Sequence, residues 1–290
     1  MLPVKPYKIA VLGGGSWGTT TASVISRQCH AVLWARDPKM VEEINQAHTN
    51  TRYLGNAALH HKLTASTDIQ ATVHQADAVL SAGPSRPFRE VLASTLPDLP
   101  QGIPVISLSK GLEKGSRMRM TEIIRDVAPG RIAGVLTGPN LAREIVAGQA
   151  AASVLALEEH KAALALQPVL NSGLFRVYTN QDVIGCELGG VLKNIIAIAV
   201  GMGDGLGAGD NTRAALITRG LAEMSRLGVA LGGKVETFSG LAGMGDMIAT
   251  CTSPQSRNRH VGMELAKGLS IEHIIDNMHM VAEGVKSAPI

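Results

Sequence analysis

An ammonium group stands at Lys193 in the middle of an apolar, helix-forming run, Glu187-Leu-Gly-Gly-Val-Leu-Lys193-Asn-Ile-Ile-Ala-Ile-Ala-Val-Gly-Met202, where desolvating it is expensive. A lysine in such surroundings shifts its pKa toward neutrality and can give or take a proton near pH 7. The residues one helical turn away, Gly189, Gly190 and Ala197, are almost without side chains, which predicts a hollow beside the lysine that a ligand could enter. The alternative is a snorkelling lysine whose stem packs while its head reaches water.

Other residues suit the same chemistry. Gly240-Leu-Ala-Gly-Met-Gly245-Asp246 presents a carboxylate in a glycine-rich turn, where it could orient a lysine. Ser253-Pro254 reads as a helix start, serine at the N-cap and proline at the first position, so that Ser256, Arg257 and Asn258 fall in or near the first turn. Free backbone N–H groups, the helix dipole and a guanidinium together make such a turn a phosphate receptor; otherwise Arg257 and Arg259 are surface charges. Ser107-Leu-Ser-Lys110-Gly111 places a lysine on a loop after a strand. Thr137-Gly138-Pro139-Asn140 also follows a strand, with Asn140 in position to cap the helix that begins Leu141-Ala-Arg-Glu.

A hydride carrier is implied at the other end of the chain. Gly13-x-Gly15-x-x-Gly18 lies between the apolar strand Lys8-Ile-Ala-Val-Leu12 and a helix expected over 19–27. Gly13 permits a tight turn, Gly15 lets the backbone approach a pyrophosphate, and Gly18 allows close helix packing, with the helix N-terminus facing the phosphates. After the next strand, His30-Ala-Val-Leu-Trp34, the usual ribose-binding acid is replaced by Arg36. An arginine there can pair with a 2′-phosphate or be a solvated loop cation, while Asp37 leaves NAD possible.

The elements that must position these residues change character along the chain. Strand candidates at 8–12, 30–34, 78–81, 104–108, 133–136 and 152–156 alternate with helical stretches, which predicts a buried parallel sheet. Beyond about residue 180 longer helical patterns replace them, at 187–202, 212–227, 254–267 and 271–276. The expected architecture is therefore α/β: a Rossmann-like doubly wound dinucleotide-binding domain over 1–184, then an all-α substrate and catalytic domain over 185–290. A chain of 290 residues suits two domains. Its 45% hydrophobic but 3% aromatic composition and 32 glycines point to aliphatic cores with close backbone approaches. A net charge of +3 with dispersed basic residues gives no reason to expect nucleic acid or membrane as a partner but suits a small anionic ligand. Cys29, Cys186 and Cys251 form no CxxC pair, so neither a disulfide framework nor a metal site is expected and a reducing cytoplasm is the default. No signal peptide and no uninterrupted apolar span of bilayer length is apparent.

Taken together these segments resemble the bacterial-type NAD(P)-dependent glycerol-3-phosphate dehydrogenases. The resemblance is carried by Gly13-Gly-Gly-Ser-Trp-Gly18, Ser109-Lys-Gly-Leu-Glu113, Gly138-Pro-Asn-Leu-Ala-Arg-Glu144, the block 187–219, the turn 240–246 and Ser256-Arg-Asn258. It implies reversible hydride transfer between NADPH or NADH and a phosphorylated small molecule, with dihydroxyacetone phosphate as ketone and sn-glycerol 3-phosphate as alcohol. It also implies a cytoplasmic, usually dimeric enzyme feeding phospholipid synthesis. By motif position, Lys193 resembles the family's proton acceptor, Asp246 would hold it and a substrate hydroxyl, and Lys110 would lie between nicotinamide and substrate and help polarise the carbonyl. Gly138, Asn140, Ser256, Arg257 and Asn258 would bind substrate, the last three chiefly its phosphate. Gly13, Gly15, Gly18, Ser16, Trp17, Arg36, Ala142, Arg257, Val281 and Glu283 would contact the dinucleotide, with the segment Val281-Ala-Glu-Gly-Val285 closing over it.

Two departures are visible. Asn140 stands where many relatives have serine or threonine, and the family's helical domain continues for several tens of residues beyond the segment resembling 281–287. Missing helices would expose apolar surface, so the alternative function is a catalytically silent dinucleotide-binding protein. A related dehydrogenase acting on a β-hydroxy acid is a third reading, opposed by the phosphate-receptor turn.

Overall fold

The computed structural model describes residues 7–278 and 282–290, so Val281 lies outside the described residues. Eight strands form one sheet: β1 (Lys8–Leu12), β2 (His30–Trp34), β3 (Thr64–Ser66), β4 (Ala78–Ser81), β5 (Pro104–Ser107), β6 (Ile132–Thr137), β7 (Ala151–Leu157) and β8 (Phe175–Asn180). Their order is β3-β2-β1-β4-β5-β6-β7-β8. β1 pairs in parallel with β2 and with β4, Leu12 lying beside Trp34 on one side and Ser81 on the other. Ile9 to Leu12 are wholly buried, as expected of a strand covered on both faces. The order reverses between β1 and β4, which is the switch point where open α/β sheets bind ligands beyond their strand ends. This is a Rossmann-like sheet with flanking helices, followed by a helical C-terminal domain.

The chain divides into two compact units, though not at a single cut. The first comprises 1–109, 120–136 and 140–181; the second comprises 110–119, 137–139 and 182–290. The second unit thus takes two loops from between strands of the sheet. Its axis is the helix Val183–Gly205, opened by Asp182, whose carboxylate accepts from Gly185 N at 2.9 Å and from Lys234 N at 2.8 Å. Capping two segments with one buried acid fixes where the helix starts. This helix is long and apolar enough to cross a membrane, yet 67% of its most apolar window is buried inside the protein. It is a core helix, wrapped by Asp210–Ala230, Asp246–Thr252 and Arg257–Ala266. Glycines make those close approaches possible: a Cβ at Gly201 would lie 2.1 Å from the Arg259 carbonyl oxygen, and one at Gly262 would lie 2.0 Å from that of Ile198.

Several expected boundaries move. The glycine-loop helix begins at Ser16 rather than Thr19 and ends at Ile25, because Gly15 in extended conformation already serves as its N-cap. The helix expected to begin at Pro254 begins at Arg257 with Ser256 as its N-cap, accepting from Arg259 N at 3.2 Å. Ser253 instead ends the preceding helix and accepts from Gln255 N at 3.1 Å. Pro254 therefore serves the turn between two helices, another place where its fixed φ is tolerated. Asn140 caps nothing: the residue before Ala142–Val146 is Leu141, and the Asn140 amide instead donates to Ala152 O at 3.2 Å and accepts from Ser153 Oγ at 2.9 Å.

Candidate active site

Within the second unit, Lys193 faces inward from the core helix, and its side chain is 7% exposed. Nζ donates to Asp246 Oδ1 at 2.9 Å and to Thr250 Oγ1 at 2.5 Å. The head does not reach water, which removes the snorkelling alternative. Burial pulls the lysine pKa down from 10.5 to about 8, with Lys110 adding to the fall and Asp246 opposing it. Desolvation thus outweighs the attraction of a carboxylate in direct contact, and the ammonium gives up its proton near neutral pH.

Asp246 is shared. Its other oxygen, Oδ2, accepts from Lys110 Nζ at 2.5 Å, and Lys110 Nζ also donates to the Gly138 carbonyl at 2.9 Å. One buried carboxylate therefore holds two ammonium groups that would otherwise repel one another. Lys110 is the more open of the two, its side chain 18% exposed. Asp246 is delivered by Leu241–Gly245, a π-helical turn that runs directly into Asp246–Thr252; single π turns of this kind concentrate at functional sites. Thr250, one turn on from Asp246, accepts from Lys193 and donates to the Asp246 carbonyl at 2.6 Å. Asp and Thr four residues apart share a helix face, which is the one local signal in the sequence for Thr250.

At two of the three small neighbours of Lys193 the space is taken by protein. A Cβ at Gly189 would sit 2.6 Å from the Ala242 carbonyl oxygen, and one at Gly190 would sit 3.1 Å from Thr137 Oγ1 and 3.4 Å from Lys110 Cγ. These two glycines admit the π turn and the Lys110 side chain beside the lysine. The Lys110 loop has its own anchors. Leu112 pairs with Arg119, and Arg119 binds Glu187 on the core helix at 2.8 Å, both side chains being largely buried.

Asn194 and Asn258 were respectively unassigned and assigned to substrate. Asn194 Nδ2 donates to Gly190 O at 3.1 Å, Asn258 Nδ2 donates to Asn194 Oδ1 at 2.8 Å, and Asn258 Oδ1 accepts from Gly284 N at 3.0 Å. One amide hydrogen of Asn258 is thereby committed, and the other has no acceptor among the described residues. Arg257 extends from the same first turn with part of its surface exposed; crowding by protein pulls its pKa down, against the charge of Glu283 at the start of the helix Glu283–Ser287.

The remaining predicted residues belong to the first unit. Gly13 has φ +120°, and a Cβ there would lie 3.1 Å from Gly83 N, so the loops after β1 and β4 meet at the switch point only because this residue is glycine. A Cβ at Gly18 would lie 2.1 Å from the Gly13 carbonyl oxygen, whereas one at Gly15 would have no atom within 4 Å. Open space at Gly15 beside an uncapped helix N-terminus with no acid in its first turn fits an anionic pyrophosphate. Ser16 opens that helix. Trp17 packs edge-on to Phe175 at 6.1 Å, with its indole nitrogen buried and unpaired among the described residues. The Ala142 carbonyl accepts from Thr20 Oγ1 at 3.3 Å, joining its short helix to the glycine-loop helix. Arg36 is exposed and has no hydrogen bond or ion pair among the described residues. Asp37 is committed to capping Pro38–Ala47 through Lys39 N at 3.0 Å, leaving the neighbouring guanidinium as the free group. Asn140 also lies in this unit, its side chain engaged on β7, so the proposed substrate residues are not all gathered in one unit.

Comparison with known proteins points the same way. A family model for the N-terminus of NAD-dependent glycerol-3-phosphate dehydrogenase matches residues 8–163, and the corresponding C-terminal model matches residues 182–290. A glycerol-3-phosphate dehydrogenase (NAD(P)+) from Sphingopyxis alaskensis is 64% identical over 97% of this chain and 85% of its own length. One from Mycobacterium avium is 51% identical over 99% of this chain and 84% of its own. The crystal structure of glycerol-3-phosphate dehydrogenase from Coxiella burnetii superposes with a TM-score of 0.91 at 40% identity, covering 97% of this chain and 86% of that one.

Proposed function

The chain belongs to the NAD-dependent glycerol-3-phosphate dehydrogenase family, and from that premise we propose that it interconverts dihydroxyacetone phosphate and sn-glycerol 3-phosphate with NADPH or NADH. The observation that carries the mechanism is the carboxylate of Asp246 shared by Lys193 and Lys110. When bound, the nicotinamide supplies or accepts the hydride at the carbinol carbon. Lys193 gives a proton to the carbonyl oxygen as the ketone is reduced and takes it back from the hydroxyl on oxidation. Two of its three N–H bonds are spent on Asp246 and Thr250, so the third is the one aimed at substrate. Lys110 stabilises negative charge developing on the same oxygen, with its ammonium held by Asp246 and the Gly138 carbonyl. Asp246 fixes both lysines and keeps Lys193 from losing its proton too early.

Phosphate recognition falls to the first turn at Ser256, Arg257 and Asn258, where the helix N-terminus, a guanidinium and the spare Asn258 hydrogen are available. Gly138 and Asn140 complete the substrate set in this reading, while Gly13, Gly15, Gly18, Ser16, Trp17, Arg36, Ala142, Arg257 and Glu283 serve the dinucleotide. The division of labour assigns cofactor to 1–184 and catalysis to 185–290, with Lys110 and Gly138 contributed from between the strands. On the family resemblance the reading extends to a cytoplasmic homodimer supplying glycerol 3-phosphate for phospholipid synthesis; sedimentation would report a monomer if the dimer is wrong.

The silent dinucleotide-binding alternative is not favoured, because the buried lysine, its carboxylate and the second lysine are all assembled. The substrate class is tested by replacing dihydroxyacetone phosphate with dihydroxyacetone. Charge-assisted hydrogen bonds are worth about 1.5–3 kcal/mol each, so losing two should lower kcat/KM by roughly a hundredfold or more. Equal rates on the two ketones would remove the phosphate site from the account.

A further inference from the structure

Asn50 is wholly buried, carries none of the roles assigned above, and touches the glycine loop. Its amide nitrogen donates to the Gly14 carbonyl at 3.0 Å and to Thr19 Oγ1 at 2.9 Å. Both hydrogens of one amide are thus used to tie the loop to the first turn of the helix that follows it. Asn50 is itself held in place: Glu43 Oε1 accepts from Thr51 N at 2.7 Å and from Thr49 Oγ1 at 2.8 Å, clamping the residues on either side.

The consequence follows from peptide geometry. The Gly14 carbonyl and the Gly15 N–H belong to one planar trans unit and point in opposite directions. Turning the carbonyl inward onto Asn50 turns the Gly15 N–H outward, toward the side where a Cβ on Gly15 would meet no atom within 4 Å. Thr19 completes the arrangement, since its backbone N–H donates to the Gly15 carbonyl at 2.9 Å. We infer that Asn50 is a positioning residue for the dinucleotide: it pre-aims the Gly15 N–H at the pyrophosphate and locks the loop to the helix N-terminus. This rests on the dinucleotide reading of the glycine loop.

The inference separates cofactor affinity from turnover. In Asn50→Asp the side chain keeps its size but loses both donors, and its carboxylate faces the Gly14 carbonyl. The dissociation constant for NADPH, measured by calorimetry, should rise about tenfold or more in Asn50→Asp and Asn50→Ala, while kcat at saturating cofactor and KM for the ketone stay within about twofold. Thr95→Ala is the control for stability alone, because Thr95 is equally buried in the same unit and, among the described residues, its hydroxyl bonds Leu92 O alone; it should leave NADPH affinity unchanged. Thr19→Val, which removes one of the two partners, should weaken NADPH binding by a smaller factor and serves if the Asn50 variants do not fold. Unchanged NADPH affinity in the folded variants, or an equal loss in Thr95→Ala, would overturn the assignment. Failure of the unaltered protein to bind NADPH would instead sink the dinucleotide reading itself, and this inference with it.

Discussion

At the scale of single residues, the account turns on one lysine whose burial outweighs its counter-charge. Because its pKa is lowered to about 8, the two directions of the reaction should depend on pH with opposite sign. Ketone reduction needs the protonated amine, so kcat should be level below about 8 and fall above it. Alcohol oxidation needs the neutral amine and should rise to a plateau across the same range. Asp246→Asn takes away the main charge that holds the proton on against burial and Lys110; both limbs should move to lower pH, and limbs that stay in place would show that another group titrates. Arg36 gives a second prediction. Exposed and without a partner among the described residues, it is free to meet a 2′-phosphate, so Arg36→Ala should raise KM for NADPH by about tenfold and leave KM for NADH nearly unchanged. A parallel rise for both would make it a general phosphate contact.

At the scale of elements, glycines separate structure from ligand. Gly18 lets the helix lie against the loop, and Gly18→Ala, with its Cβ 2.1 Å from a backbone oxygen, should cost about 1–3 kcal/mol of stability in denaturant unfolding. Gly15→Ala meets no protein atom, so stability should change by less than about 1 kcal/mol while cofactor affinity collapses. Matching losses of stability in the two would mean the open space at Gly15 is not where a ligand lies. The same elements show what a sequence can disclose. β1 and β4 are legible because buried parallel strands read as apolar runs, and β2 because Ala31 to Trp34 are apolar although only alternate residues are buried. β3 has only Thr-Ala-Ser to announce it, and β8 alternates buried and exposed residues at the sheet edge; neither carries that signature. Two serines three residues apart compete for the cap of the helix Arg257–Ala266, and Pro254 favoured the wrong one because proline suits a turn as well as a first helical position. Lys193 could be singled out from its surroundings alone, whereas its tie to Asp246, and that of Asp246 to Lys110, joins residues 53 and 136 positions apart. Such pairings are made by packing, and local pattern does not contain them.

At the scale of the whole molecule, the chain places its glycine loop and Lys193 in different compact units, while two loops from between the sheet strands join the second. Lys110 and Gly138 are the residues those loops bring. This explains how Lys110, preceded in sequence by the sheet strand β5, shares a carboxylate with a lysine on the core helix. The central claim is that this cluster performs the proton transfer of glycerol-3-phosphate dehydrogenation, and the most direct measurement is NADPH consumption, followed at its nicotinamide absorbance band, with dihydroxyacetone phosphate and either the unaltered protein or Lys193→Ala. Steady turnover is expected in the first and a fall of roughly 10²–10⁴-fold in kcat in the second, with ketone and NADPH affinity largely kept. Turnover in Lys193→Ala close to that of the unaltered protein would contradict it.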